Sequence, residues 1–394
     1  MKIELKGKRK TARRIVAIIV LPVLCAAMVI CNAFIPRHVA DYYCANLFPH
    51  ISFPMQSINM FFHYSLTENI IVCLSPLLAA GLIIWAVILI KKLMGRGALL
   101  YLYKSFRNLF ILILIGAISF QAMHGINYKR THVSDALDLT TGELTYEDYC
   151  KALRWSYIGM LEARSHLGED YNGVAHMTNS FENSATYANA LLNTFCDEYD
   201  IPLSHNYVRA KPVSMSHYWS YTHIVGVYDP FLAEVNLNTD YMSINEYPVT
   251  LCHELSHAKG YASETDCNTL AALSCCSSTR ADFRYAGYYE IFWNLLVVTE
   301  KIAEETGKDV PQFVSTSDLE PVLKDMRASV LYWNQIDKEV DTIKEKLGID
   351  ITETSDMVND TFLKTNGESG LESYRVPDSV YVRFYLTYVE SQNV

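Results

Sequence analysis

Two histidines four residues apart, with a glutamate directly after the first, give this sequence its clearest chemical signal. They are His253, Glu254 and His257, in the stretch TLCHELSHAKG. On a helix, residues i and i+4 lie on one face, so both imidazoles can bind one metal ion. Glu254 then lies where its carboxylate can accept a proton from a water on that ion. This spacing is typical of zinc hydrolases, and Zn²⁺ is the metal that two histidines and a carboxylate favour.

A catalytic zinc ion needs a third protein ligand, and the sequence offers two acids just after the motif. Gly260 can end the helix in a left-handed turn that lets the chain reverse. We predict Glu264 as the ligand, because its longer side chain reaches further and it starts the next helix. Asp266 is the alternative ligand or else a support for the ligands, and Asn268 is placed to hydrogen-bond a ligand. Both acids also suit a helix N-terminus without any metal.

A hydrolase of this type also needs a hydrogen-bond donor for the negative charge that develops on the attacked oxygen. We predict Tyr285 or Arg284, which lie in ADFRYAGYYEIFWNLL, a polar cluster that opens an apolar helix. His217, His223 and Tyr288 are further candidates. The alternative is that these residues only pack, as most tyrosines do in a chain that has 27 of them.

Two short strands precede the motif, in THIVGVYDP and LAEVNLNTD, and a turn at Asp229-Pro230 joins them. In zinc peptidases, a peptide substrate commonly adds to an exposed sheet edge above the metal. We therefore predict that the second strand binds substrate through its main chain, at Ala233, Glu234, Val235 and Asn236. The alternative is an ordinary edge strand that ends in polar asparagines.

Composition and charge divide the chain into two unlike parts. Half of the 394 residues are hydrophobic, and residues 1–130 carry 15 lysines and arginines against three acidic residues. The remainder carries 18 basic residues against 40 acidic ones. A basic, apolar front followed by an acidic back indicates a membrane anchor (1–130) joined to a soluble domain (131–394). The acidic part argues against a nucleic-acid partner, because phosphates need a basic surface.

Three apolar runs in the first part are long enough to cross a bilayer as helices, at residues 15–35, 69–90 and 109–126. A signal peptide is the alternative for the first run. Basic residues precede the first run and separate the second from the third, so the positive-inside rule places both segments in the cytoplasm. The chain beyond about residue 127 is then extracellular, on a multi-pass protein of the cytoplasmic membrane.

The soluble part is predicted to be mainly α-helical, with a small β-sheet just before the motif. Helices are expected at about 145–167, 182–199, 264–276, 281–306, 317–347 and 376–390, in addition to the helix of the motif itself. The ten cysteines include no CxxC pair, which argues against a cysteine zinc cluster. The predicted fold class is therefore a mainly α, zincin-like domain behind three transmembrane helices.

Four segments carry a resemblance to a known family: GINYKR, GVYDPFLAEVNLN, HELSHAKGYASETDCN and FRYAGYY. Together with the N-terminal spans they resemble an uncharacterised bacterial membrane family, catalogued as domain of unknown function 3810 (DUF3810). The resemblance covers nearly the whole chain and implies a membrane-bound, zinc-dependent, peptidase-like protein. The family usually shows HELAH-x-x-G-[FY]-x-x-E-x-E-A-N. Glu264 and Asn268 match it, whereas Asp266 replaces a glutamate and Cys267 an alanine. The block is also similar to membrane-bound CAAX-type and heat-shock metallopeptidases, in which the glutamate binds zinc.

The sequence therefore favours a membrane-anchored zinc metallopeptidase that cleaves peptides or proteins outside the membrane, with Glu254 as general base. A second hypothesis is a catalytically silent receptor or assembly module that keeps a metal-stabilised zincin scaffold. A third, an intramembrane protease, is disfavoured, because the motif lies far beyond the last span and is too polar to enter lipid. The oligomeric state is left open.

Overall fold

The structure, a computed structural model, describes residues 19–95 and 97–392. Its first helices are α1 (Leu21–Phe34), α2 (Arg37–Tyr42), α3 (Phe48–Met60), α4 (Leu66–Met94), α5 (Ala98–Met123) and α6 (Val133–Ala136). The later helices are α7 (Tyr146–Ser165), α8 (Phe181–Glu198), α9 (Ser216–Ser220), α10 (Tyr247–Ala258), α11 (Glu264–Cys276), α12 (Ala281–Thr306), α13 (Thr316–Leu347), α14 (Ile351–Thr365) and α15 (Asp378–Phe384). One sheet contains β1 (Ala210–Pro212), β2 (Gly226–Asp229) and β3 (Glu234–Leu237). The predicted class, mainly helical with a small sheet, is confirmed.

Two helices of the described chain, α4 and α5, are long and apolar enough to cross a membrane. The first predicted span begins on residues 15–18, which lie outside the described residues, as does the basic segment before it. Its described part forms α1, which has only 14 residues. Ile35 is extended because Pro36 follows it, and the chain then bends by 115° into residues 37–60. The described chain thus has two candidate spans rather than the predicted three, or three if this bent pair counts as one.

The two spanning helices form a tight hairpin with most of its charge at the turn. Lys91 and Lys92 lie in the last turn of α4, where cations interact favourably with the helix carbonyls. Lys104 and Arg107, which the sequence placed in a loop, lie instead in the first part of α5. Arg96 lies outside the described residues. The basic residues therefore lie at one end of the hairpin, and the part of the chain that follows α5 begins at the other end.

The segment between α1 and α4 packs onto the helix that carries the motif. In α3, the Gln56 side-chain amide donates to the carbonyl of Ala258, at the end of α10, over 3.0 Å. At the start of α4, the carboxylate of Glu68 accepts the main-chain N–H groups of Ser214 (2.9 Å) and Met215 (2.6 Å). The membrane helices and the motif thus belong to one packed unit.

The predicted hairpin of two strands is confirmed, and its turn forms as expected. A carboxylate oxygen of Asp229 accepts the main-chain N–H of Phe231 over 2.8 Å, which closes the turn that Pro230 begins. β2 and β3 are antiparallel, and β1 adds to the other side of β3 in a parallel orientation. The strand order is therefore β1-β3-β2.

This order corrects the predicted substrate-binding edge. β3 is the central strand and is hydrogen-bonded on both sides, so it has no free edge to offer a peptide. Ala233, Glu234, Val235 and Asn236 are all fully buried. The sequence missed this because β1 has only three residues and lies far upstream, where no alternating pattern reveals it. The edge that remains next to the motif helix is β2.

Most predicted helices are found within a few residues of their expected bounds. Thr145 caps α7 as predicted, and its hydroxyl forms a reciprocal capping box with Asp148. The helix α14 was not predicted. Its N-cap residue is Asp350, whose carboxylate accepts the main-chain N–H of Glu353 over 2.9 Å. This capping residue is the feature of the sequence that indicates the start of the helix. Together with β2, α14 borders the site.

Candidate metal site

Three side chains from two consecutive helices meet at one point. The Nε2 atoms of His253 and His257, both on α10, lie 3.1 Å apart. An Oε2 atom of Glu264, the first residue of α11, lies 3.0 Å from the first of these nitrogens and 3.4 Å from the second. All three residues are buried. A tetrahedral ion with bonds of about 2.0–2.1 Å needs ligand atoms about 3.3 Å apart, so these distances fit one small cation.

The hydrogen bonds around the rings fix the orientation in which they can bind a metal. The Nδ1–H of His253 donates to Oδ1 of Asn268 over 2.6 Å, and that of His257 donates to the carbonyl of Tyr261 over 3.0 Å. With the protons on Nδ1, each Nε2 directs a lone pair at the other and at Glu264. The Oε2 of Glu264 has no hydrogen-bond partner among the described residues. Three buried lone pairs facing one another are unfavourable unless a cation lies between them, so the donor set can hold a metal ion.

The predicted reversal of the chain after the motif occurs at Gly260, which has a φ of +109°. An L residue rarely adopts this conformation, so glycine is needed here. Arg130 holds the turn from outside, since its guanidinium donates to the carbonyls of Gly260 (2.8 Å) and Pro202 (2.6 Å). The same guanidinium lies 3.5 Å above the ring of Tyr261. This turn brings Glu264 back onto the two histidines.

The alternative acid, Asp266, faces away from the histidines. Its carboxylate accepts the main-chain N–H of Val133 (2.8 Å) and lies 3.0 Å from Nδ1 of His132. This bond is the main reason that the pKa of His132 is raised. The structure therefore corrects Asp266 both as a ligand and as a support for the ligands, because it anchors the segment after α5 instead. Asn268, by contrast, contacts His253 as the sequence predicts.

Glu254 lies beside the ligand cluster against the edge strand β2. The side chain is buried, and a Cβ atom on Gly226 would come within 2.5 Å of its Cγ, so only glycine fits at that point of the strand. Burial raises the pKa of Glu254, an effect that the neighbouring histidines oppose. The pKa of Glu264 is lowered, because both histidine rings outweigh the effect of its burial. The pKa values of the two carboxyl groups are thus shifted in opposite directions, so a carboxyl group with raised proton affinity lies beside one with lowered proton affinity.

An open cleft of about 420 Å³ lies in front of His253 and Glu254. One wall is the segment from Thr222 to Gly226, and the other includes Tyr374. The remaining lining is largely polar, with three acidic residues, Glu246, Glu290 and Asp356. His253 and Glu254 of the motif therefore form part of the wall of an open cleft.

The residues predicted to stabilise an oxyanion lie elsewhere. The hydroxyl of Tyr285 donates to Asp325 over 2.8 Å, and Arg164 pairs with the same carboxylate over 2.6 Å. Arg284 pairs with Glu162 over 3.0 Å. Neither predicted residue lines the cleft, which corrects both predictions. The polar cluster at the start of α12 joins that helix to α7 and α13, and this is why it stands out in the sequence.

Of the other three candidates, two lie away from the cleft and one lines it. Tyr288 packs against Trp155, with ring centroids 5.2 Å apart, and His217 lies next to the carboxylates of Asp240 and Glu339. His223, however, lines the cleft.

Tyr374 is a residue of the cleft that sequence reasoning missed. Its ring stacks on that of His253, with centroids 6.2 Å apart, and its carbonyl accepts the side-chain amide of Asn268 over 2.6 Å. Burial raises its pKa, so the hydroxyl stays protonated and can donate a hydrogen bond in the cleft. No local signal marks Tyr374, which lies in a short 3₁₀ turn far along the chain from the motif.

His124 was also missed, although it directly follows the spanning helix α5. Its ring lies 5.9 Å from that of His257 and 5.8 Å from that of Tyr228, and burial lowers its pKa to about 3. His124 is therefore a neutral packing partner of His257. The motif is far from the last span in sequence, but the fold brings it to the end of that span.

Comparison with known proteins gives one match. A family model described as "Protein of unknown function (DUF3810)" matches residues 43–377, which include both spanning helices, the motif and the cleft. Searches of the curated proteins and of the solved structures find no match.

Proposed function

This chain belongs to the DUF3810 family, whose description assigns no function, and from the site we propose that it is a membrane-anchored, zinc-dependent metallopeptidase. The observation that carries the proposal is the pairing of two features. Three side-chain atoms are spaced to bind one small cation. A further buried glutamate, Glu254, is not one of the three and lies beside them in an open cleft. A purely structural metal site is normally closed by a fourth protein ligand and needs no such glutamate.

Zn²⁺ bound by His253, His257 and Glu264 would supply a Lewis acid that lowers the pKa of a coordinated water and polarises a peptide carbonyl. Asn268 and Tyr261 keep the histidine protons on Nδ1, so that both Nε2 atoms stay free to bind. This donor set of two imidazoles and one carboxylate favours zinc over the harder cations.

Glu254 is the residue that moves the proton. It is held by the close approach of Gly226 and by a main-chain hydrogen bond from Tyr228, so its carboxylate has a fixed position beside the ligands. In our proposal, it accepts a proton from the attacking water and later passes it to the leaving amine. The protonated hydroxyl of Tyr374 takes the role first given to Tyr285 and Arg284, and donates to the oxygen that becomes negative.

The substrate would lie along β2 rather than β3. The segment from Thr222 to Gly226 forms a wall of the cleft, and β2 is the outer strand next to Glu254. A peptide can therefore add to this edge through main-chain hydrogen bonds. The positive-inside rule, applied to the basic end of the hairpin of α4 and α5, puts that end in the cytoplasm and the cleft outside the cell.

Glu254→Gln tests this proposal directly. The zinc-loaded, full-length protein should cleave some members of a randomised peptide library, and the substitution should lower their kcat by about 10²–10⁴-fold with zinc content unchanged. Glu345→Gln, at an exposed position of α13, is the matched control and should cleave like wild type. If Glu254→Gln cleaves as fast as wild type, the proposed role of Glu254 is wrong. If wild type binds zinc but cleaves nothing, the chain is instead a metal-stabilised receptor or assembly module.

A further inference from the structure

A second, apolar groove continues from the cleft. It has a volume of about 600 Å³ and shares the residues Thr222, Ile224, Gly226 and Tyr374 with the cleft. Beyond these shared residues the lining of the groove is mostly apolar, with β2 on one side and α14 on the other. Its apolar residues include Val227, Ile349, Ile351, Val358 and Phe362. The groove therefore leads from Glu254 along α14.

The far end of this groove lies against a membrane helix. The ring of Phe362 meets that of Phe120, in α5, with centroids 5.9 Å apart. Phe231, at the tip of the β2–β3 hairpin, approaches the same ring at 6.4 Å. Both Phe362 and Phe231 keep more than two fifths of their surface exposed. The groove thus ends in an exposed aromatic rim around one residue of the span.

The position of Phe120 along its helix places this rim at the membrane. The chain carries no Asp, Glu, Lys or Arg from residue 108 to residue 128. Phe120 lies thirteen residues beyond Arg107, which is about 20 Å along a helix. This is less than the roughly 30 Å thickness of the hydrocarbon core, so Phe120 lies within or at the edge of the lipid. An apolar chain can therefore pass from lipid into the groove without crossing water.

We infer that the substrate is a membrane-anchored polypeptide, whose apolar segment leaves the bilayer beside Phe120 and lies in the groove along α14. This places the bond next to the segment at Glu254. The inference rests on the proposed function, and adds the class of substrate. A polypeptide, rather than a lipid chain, fits both halves of the path, because the groove is apolar while the cleft offers a strand edge and polar walls.

The first test compares one peptide library in two forms. Randomised peptides joined to a poly-leucine segment are placed in phosphatidylcholine vesicles with the full-length, zinc-loaded protein, and the same peptides without the segment are supplied in solution. The anchored form should be cleaved with a kcat/KM at least about tenfold higher, because the groove adds apolar contact. Equal rates for both forms would overturn the inference while leaving the peptidase proposal intact.

A variant pair localises the effect to the groove. Val358→Glu puts a carboxylate among apolar residues and should lower the ratio of kcat/KM for anchored peptides to kcat/KM for soluble peptides by about tenfold. Met357→Glu is the matched control, since Met357 is its exposed neighbour on α14 and does not line the groove. If both variants behave alike, the groove does not hold the segment.

A binding measurement separates this inference from the peptidase proposal. A photoreactive leucine analogue is placed in the poly-leucine segment, and cross-links to the Glu254→Gln protein in the same vesicles are mapped by mass spectrometry. Cross-links to residues 351–362 would support the groove even if wild type cleaves nothing. Cross-links confined to other surfaces, or a groove that instead captures a photoreactive acyl chain of the lipid, would overturn it.

Discussion

The contact between Asn268 and His253 offers a sharp test of the metal site. The amide oxygen accepts the Nδ1 proton over 2.6 Å, and the amide nitrogen donates to the carbonyl of Tyr374 over 2.6 Å. Asn268→Ala removes both bonds and leaves the ring of His253 free to carry its proton on either nitrogen. Loss of such a supporting partner typically lowers metal affinity by 10–100-fold, which is about 1.4–2.7 kcal/mol.

The expected effect on stability follows from mass action. At a free zinc concentration of about 100 Kd, zinc stabilises the wild-type fold by about 2.7 kcal/mol. The same concentration would stabilise Asn268→Ala by only about 0.4–1.4 kcal/mol. Zinc affinity is measured by competition with a chromophoric chelator, and stability by urea unfolding with and without zinc. Measuring both separates the lost ligand support from the lost bond to Tyr374, which alone costs about 1 kcal/mol in the metal-free form.

Asp266→Asn is the matched control. It lies on the same helix and contacts Val133 and His132 rather than His253 or His257, so its zinc affinity should stay close to that of wild type. If Asn268→Ala lowers the stability of the metal-free protein but leaves zinc affinity unchanged, then Asn268 is only a packing residue. The assignment of the Nε2 atom of His253 as a ligand would then be wrong.

Two further predictions follow from single contacts. Gly226→Ala should displace Glu254 and lower peptide cleavage at least about tenfold, with zinc content unchanged in metal analysis. Arg130→Met should unpair the carbonyl of Gly260 and lower the free energy of unfolding by about 2–4 kcal/mol in urea titrations, and an unchanged midpoint would contradict this.

The parts of the site that the sequence reveals are those within a few residues of one another. The spacing of His253 and His257 follows from helical geometry, and the reversal at Gly260 follows from its lack of a side chain. Together they determine that an acid shortly after the turn can reach the histidines. The choice between Glu264 and Asp266 needs the fold, because it depends on where the segment after α5 lies.

The parts that the sequence does not reveal come from contacts between distant segments. β3 becomes a central strand only because β1 joins it from upstream, and Tyr374 reaches the cleft from a turn without any recurring pattern. Tyr285 looked functional because it is polar within an apolar helix, yet its partner, Asp325, lies on another helix. The closeness of the motif to the membrane has the same origin, since His124 and His257 meet only after folding.

The most direct test of the account is the metal content of the purified full-length protein, compared with Glu264→Ala and Asp266→Ala. We expect about one zinc ion per chain in wild type and in Asp266→Ala, and almost none in Glu264→Ala, which should still show the far-UV circular dichroism of a helical protein. A wild-type chain that binds no divalent cation, or a Glu264→Ala chain that keeps its zinc, would contradict it.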